Sequence, residues 1–217
     1  MYPKARGNPV PRTVSRADGA GAATIGAYTS RPRSRGATLP PSSARDGPGS
    51  PAGAFTERQF RDALAQFATG VTVIAARRPD GRYAGFTANS FNSVSLDPPL
   101  VVWSLNRRAE NLVAFENAER YVINVLAHDQ LEIARRFSRP HADRFEGVAF
   151  RLGSADAPLI EGCIAWFECR HHARQRAGDH VLFIGEVERC ARVAGVGLVF
   201  HHGHYATTRP LAAKAAP

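Results

Sequence analysis

The chain has no long apolar run. No stretch of its 217 residues nears the roughly 18 apolar residues of a membrane-spanning helix, so no membrane partner is expected. Cysteine is scarce: Cys163, Cys169 and Cys190 are odd in number and show no CxxC spacing. That disfavours a disulfide framework and predicts a reduced, cytoplasmic setting. Acidic residues are rare at the N-terminal end, where residues 1–54 hold eight of the 28 basic residues and two of the 19 acidic ones. This segment therefore carries +6 of the net +9, and the rest of the chain is close to balance. Basic charge outside a folded surface is weak evidence for nucleic acid. No nucleic-acid partner is expected, and such binding would show a strong salt dependence lost on deletion of residues 1–54.

Residues 1–54 also lack apolar periodicity, and they contain eight glycines and eight prolines. They are expected to form a disordered basic tail, with a targeting segment or a start further along the chain as open alternatives. "GAGAATIG" (19–26) lacks the third glycine of a dinucleotide loop and has no strand before it. No internal repeat is visible.

Order is predicted from residue 55. In "FTERQFRDALAQFATG" (55–70) Thr56 is an N-cap, Gln59 completes a capping box, and Phe55 and Phe60 form a hydrophobic staple. Phe60, Ala63, Leu64 and Phe67 make one apolar stripe, with Gly70 as the stop. The period then changes. "VTVIAA" (71–76), the "RPDG" turn (78–81) and residues 83–86 read as a hairpin, and "LVVWSL" (100–105) and "YVINVL" (121–126) as further strands. Helices are expected at 110–118 and, capped, at 129–138. Two long late strands, 164–173 and from residue 180 to 193, are joined by "RQRAGD", and "GLVFHHGHY" (197–205) closes the domain. Strands interrupted by helices, without regular crossovers, predict a mainly β architecture: an antiparallel barrel with peripheral helices. The domains are set at 1–54, 55–209 and a C-terminal tail at 210–217.

"TANSFNSVSLDPPL" (87–100) concentrates hydroxyls, amides and backbone N–H groups at the end of a strand. Such a loop grips an acceptor-rich ligand, or is a polar turn that Pro98 and Pro99 stiffen. In order and spacing, "GVTVIAA", "GFTANSFNSVSLDPPLVVWSL", "YVINVL", "RRFS", "DRF", "PLIEGCIAWFEC" and "GDHVLFIGEV" resemble the flavin reductase-like family. The resemblance spans about residues 55–205. It implies a homodimeric, Greek-key split β-barrel of the FMN-binding type, with FMN or FAD in a groove near the partner subunit. NADH or NADPH is then the hydride donor, and a separate flavin-dependent monooxygenase takes the reduced flavin.

The resemblance also assigns residues. Thr87, Ala88, Asn89 and Ser90 match the loop that hydrogen-bonds the isoalloxazine, and Ser93, Val94 and Ser95 the segment lining the groove. Gly178, Asp179 and His180 match the nicotinamide-binding motif, or else simply make a turn and begin a strand. Arg107 and Arg108 stand where the flavin phosphate is met, although Ala109 and Asn111 replace the family's small hydroxyl residue; a solvated basic turn is the other reading. No catalytic acid or base is assigned, because hydride transfer needs donors aimed at the flavin's pyrimidine edge. His171 and His172, and His201, His202 and His204, raise a metal site, and His202 and His204 would share a strand face. With no companion carboxylate or cysteine, no metal is expected. Trp103 and Trp166 are assigned to the core. The alternative function is a non-catalytic flavin- or haem-binding split barrel.

Overall fold

A computed structural model describes residues 55–140 and 143–211. The expectations for residues 1–54, and for 212–217 of the C-terminal tail, lie outside the described residues. Helix α1 (Glu57–Leu64) opens with the predicted capping box: Gln59 N–H donates to Thr56 Oγ1 at 3.2 Å, and Thr56 N–H to Gln59 Oε1 at 2.7 Å. The Phe55 and Phe60 rings lie 5.5 Å apart, as a staple requires. The helix stops well short of Gly70, which belongs instead to β1 (Thr69–Gly70).

Strands β2 (Thr72–Arg77) and β3 (Tyr83–Ala88) form the predicted hairpin. Strands β4 (Asn92–Leu96) and β5 (Pro99–Asn106) form a second one, turning at Asp97 and Pro98. Helix α2 (Leu112–Asn117) leads to β6 (Arg120–Val125), and α3 (Leu131–Ser138) to a short pair, β7 (Phe150–Leu152) and β8 (Pro158–Ile160). Strands β9 (Ala165–Ala177), β10 (His180–Arg192), β11 (Leu198–His201) and β12 (His204–Thr207) complete the order.

Seven strands make one antiparallel sheet in the order β3-β2-β6-β9-β10-β5-β4. The β9–β10 hairpin is inserted between β5 and β6, which is the Greek-key step. The sheet curls until both halves share one core, with Ile74, Ala84, Trp103, Tyr121 and Phe183 all buried together. Phe86 of β3 meets Trp103 of β5 at 5.6 Å although the two strands are far apart in the ladder. The edges β3 and β4 do not pair, so the barrel is split. A second core of Val73, Ala75, Phe137, Ile160 and Leu198 lies on the other face of β2. Burial on both faces explains why β2 reads as an unbroken apolar run and not as an alternation.

Three local expectations need correction. The helix at 129–138 begins at Leu131 without a side-chain cap. Gln130 instead accepts from Ala127 N–H at 3.0 Å and donates to Glu161 C=O at 2.7 Å, tying the segment to the strand system. Strand β9 continues through most of "RQRAGD", leaving only Gly178 and Asp179 as the loop. The closing run is a hairpin: His201 pairs with His204 around His202 (φ 51°) and Gly203 (φ 76°), both left-handed as a type I′ turn demands. His202 and His204 therefore flank a turn and do not alternate along one strand. The buried Asn124 was overlooked. It donates to Val73 C=O and Pro158 C=O, both at 3.2 Å, and accepts from Ile160 N–H at 2.8 Å, pinning β8 against the sheet.

Candidate functional site

Strand β5 collects the three segments singled out in the sequence. The first is the Thr-Asn-Ser segment. Thr87 is half-buried and its hydroxyl donates to Ala134 C=O of α3 at 2.7 Å. Its one proton is thus committed to the fold. Ala88 is buried, and its C=O accepts from Thr72 Oγ1 at 2.9 Å. The loop then becomes exposed at Asn89 and Ser90. Ser90 Oγ accepts from Ser104 N–H at 3.0 Å and donates to Ser104 C=O at 3.2 Å. One hydroxyl thus satisfies the β5 edge where β4 is absent.

Strand β4 carries a bulge, since Ser93 pairs with Val101 and Ser95 with Leu100. Val94 is the extra residue and stands 52% exposed. Ser93 N–H donates to Asn92 Oδ1 at 2.8 Å, and Ser95 Oγ accepts from Asp97 N–H at 3.2 Å.

The second and third segments meet at the C-terminal end of β5, two residues beyond Ser104. In the β10–β5 register His180 is opposite Asn106, so the two side chains share a face. The β9–β10 turn is a two-residue loop with Gly178 at φ 58°. Glycine at the first central position is what a type II′ turn requires. This turn is bonded to the turn after β5: Arg107 N–H donates to Asp179 C=O at 2.9 Å, Arg107 Nη1 to Gly178 C=O at 3.4 Å, and Asn106 Nδ2 to Asp179 Oδ2 at 3.4 Å. Arg108 N–H donates to Asn106 Oδ1 at 2.9 Å, closing the corner. His180 Nδ1 lies 2.8 Å from Asp179 Oδ1. The bond with His180 holds the Asp179 carboxyl below the usual range.

Sequence reasoning missed Asn106 and Ser104, whose partners are distant in the chain. The only local signal for Asn106 was a polar residue directly after an apolar strand. Among the described residues no group of three or more His, Cys, Asp or Glu is placed to hold a metal ion. Burial pushes the Cys163 and Cys169 thiols up to about 12, so neither is a thiolate nucleophile at neutral pH.

The donor set suits a flavin. The Asn89 amide and the backbone N–H groups of Asn89 and Ser90 have no hydrogen-bond partner among the described residues. Exposed donors on one loop match a ring edge that offers only acceptors and one N–H. The corner at Arg107, Asp179 and His180 faces the same strand, about 7 Å along β5 from Ser104 at a strand's rise per residue.

Residues 64–209 match the family described as flavin reductase like domain. The chain is similar to the reductase component of a flavin-dependent trigonelline monooxygenase from Acinetobacter baylyi, with 41% identity over 69% of this chain and 48% of that one. It is similar to a flavin reductase from Pseudomonas putida, with 39% identity over 70% of this chain and 90% of that one. Among solved structures, an NADH:FAD oxidoreductase of Streptomyces globisporus in complex with NAD and FAD fragments superposes with a TM-score of 0.68. Its identity is 36%, over 72% of this chain and 94% of that one. The chain spans about half the length of two of the curated relatives it matches, 51% and 48%.

Proposed function

The chain belongs to the flavin reductase like domain family, and from that premise we propose that it transfers hydride from NADH or NADPH to FMN or FAD and supplies reduced flavin to a separate monooxygenase. One observation carries the reading. The 180-to-106 register and the Ser90–Ser104 bonds bring residues 178–180 and the 87–90 loop to a single strand, which supports their sharing one ligand site. A flavin and a nicotinamide held by these two segments would be brought together, and proximity would then supply much of the rate.

Bound flavin supplies the hydride acceptor and the dihydronicotinamide supplies the hydride. The protein's part is placement. Asn89 and the adjacent N–H groups donate to the pyrimidine edge, where charge grows as the ring is reduced. Ala88 and the bulged segment Ser93, Val94 and Ser95 form the wall beside it. Gly178 and Asp179 make the turn that presents His180 to the nicotinamide. Arg107 is tied to Gly178 C=O, which leaves the Arg108 guanidinium as the freer cation for a phosphate.

The protein works as a homodimer in the cytoplasm. Supporting the dimer, α1 buries none of its residues and its apolar stripe stands open, with Phe60 50%, Leu64 57% and Phe67 71% exposed. A nicotinamide donor and three free cysteines suit a reducing compartment. No helix among the described residues is long and apolar enough to cross a membrane.

Anaerobic stopped-flow absorbance tests the activity. Mixing the full chain and FMN, or FAD, with NADH and then NADPH is expected to bleach the oxidised flavin band far faster than the protein-free mixture. Flavin that binds without accelerated bleaching would replace this reading with the non-catalytic binding barrel.

A further inference from the structure

The tip of the β9–β10 hairpin contains more than the turn that presents His180. The Asp179 side chain is 82% exposed, yet neither oxygen is idle. Oδ1 lies 2.8 Å from His180 Nδ1, and Oδ2 accepts from Asn106 Nδ2 at 3.4 Å. The Asp179 backbone C=O is held by Arg107 N–H at 2.9 Å. A carboxylate fixed at three points beside an imidazole has one consequence. An ionised carboxylate only accepts, so the neutral ring must carry its proton on Nδ1 and present Nε2 as an acceptor. The depressed Asp179 carboxyl keeps this partner ionised at neutral pH.

We infer that Asp179 is a positioning residue that sets the His180 tautomer, and that His180 Nε2 thereby selects hydride donors bearing a carboxamide N–H over those bearing an acetyl or carboxylate group. A dihydronicotinamide carries an –NH2 donor on the ring substituent, and its acetylpyridine and nicotinic acid counterparts do not. With Nε2 as acceptor, the amide gains a hydrogen bond, the acetyl analogue offers nothing to it, and the carboxylate meets a lone pair. A site built to accept a substrate N–H rejects the analogue lacking it more strongly than shape alone does. Asn106 and Arg107 extend the device, because they hold the turn on which the carboxylate sits. The inference rests on the proposed hydride transfer, and it assigns to that reaction the class of donor accepted.

The test has two arms, so that its failure is distinguishable from failure of the reductase reading. In the first, nitrogen NMR of the full chain with labelled histidine reads the His180 tautomer without any turnover, the resonance being assigned by its loss in His180→Ala. The wild-type ring is expected as the Nδ1–H form, and Asp179→Ala is expected to shift it toward Nε2–H. A wild-type ring already in the Nε2–H form overturns the inference whatever the activity. In the second, kcat/KM is compared for NADH and its reduced 3-acetylpyridine analogue. The wild-type preference is expected to fall about tenfold in Asp179→Ala, the loss of one hydrogen-bond discrimination, and to be partly kept in Asp179→Asn, whose amide oxygen still accepts from Nδ1–H. The loss should lie in NADH, with the analogue nearly unaffected. An equal loss for both donors, or an unchanged ratio, assigns Asp179 to the turn alone and overturns the proposal.

Discussion

At the scale of single residues, Asn89 and Ser90 are neighbours in one loop with opposite obligations. Ser90 Oγ occupies the place of a missing β4 residue and satisfies both polar groups of Ser104, whereas the Asn89 side chain has no partner among the described residues. A side chain without structural partners is removable at little cost, and one that completes a strand edge is not. Asn89→Ala is therefore expected to weaken flavin binding, read by fluorescence titration, with a melting temperature near that of the wild type. Ser90→Ala should lose about 1 kcal/mol of stability in urea unfolding, the typical value of a hydrogen bond, and its flavin affinity should change less. The reverse pattern would exchange the two roles. Residue types in "TANS" pointed to this loop but not to this division, because Ser104 lies across a hairpin and a side-chain bond at that separation leaves no trace in local composition.

At the scale of elements, the Tyr121 side chain of β6 reaches across β9 to Gly185 of β10 at a close approach that only glycine permits. A Cβ on Gly185 would stand 2.0 Å from the Tyr121 hydroxyl and 3.1 Å from Cys169 Cβ. That hydroxyl is buried, near the Trp103 indole with ring centroids 5.3 Å apart, and neither Tyr121 OH nor Trp103 Nε1 completes a hydrogen bond. Burial accordingly pushes the Tyr121 hydroxyl's pKa up. Tyr121→Phe removes a desolvated group without a partner, and is expected to leave stability unchanged or raise it slightly in urea unfolding. Gly185→Ala overpacks the core and should cost about 1–3 kcal/mol. Adding Tyr121→Phe should recover much of this, since the nearest clash is the hydroxyl; strictly additive effects would refute that account. The elements themselves were unevenly legible. The α1 capping box and the β2 apolar run are local patterns and were read correctly. β7 and β8 have three residues each, too few for a period to show. The outer end of β9 reads "RQRA" (174–177), polar where the hairpin extends beyond the core, so no alternation marked it as strand.

At the scale of the molecule, the fold class was legible because the longer strands, the hairpin turn after β2 and the start of α1 carried their own local signals. The assembly of the site was not, because it depends on a register that joins residue 180 to residue 106 and on a sheet that curls to bring Phe86 to Trp103. The stripe of α1 was also read correctly as apolar, but the single chain does not bury it. Phe60, Leu64 and Phe67 stay half or more exposed, and the helix carries charges on its other side, where Arg58 pairs with Asp62 at 3.8 Å. An apolar face of this kind facing water is costly at roughly 25 cal/mol per Å², and self-complementary burial in a two-fold dimer removes that cost on both copies at once. Light scattering of the full chain at micromolar concentration is expected to give twice the monomer mass. Leu64→Glu with Phe67→Glu should shift it toward monomer while leaving the capping box and the strand spectrum intact, because neither side chain is buried in the protomer. If the groove is completed across that interface, flavin affinity should fall with the dimer population as the variant is diluted. A wild-type monomer would assign the α1 face to another occupant and leave the flavin groove to a single chain.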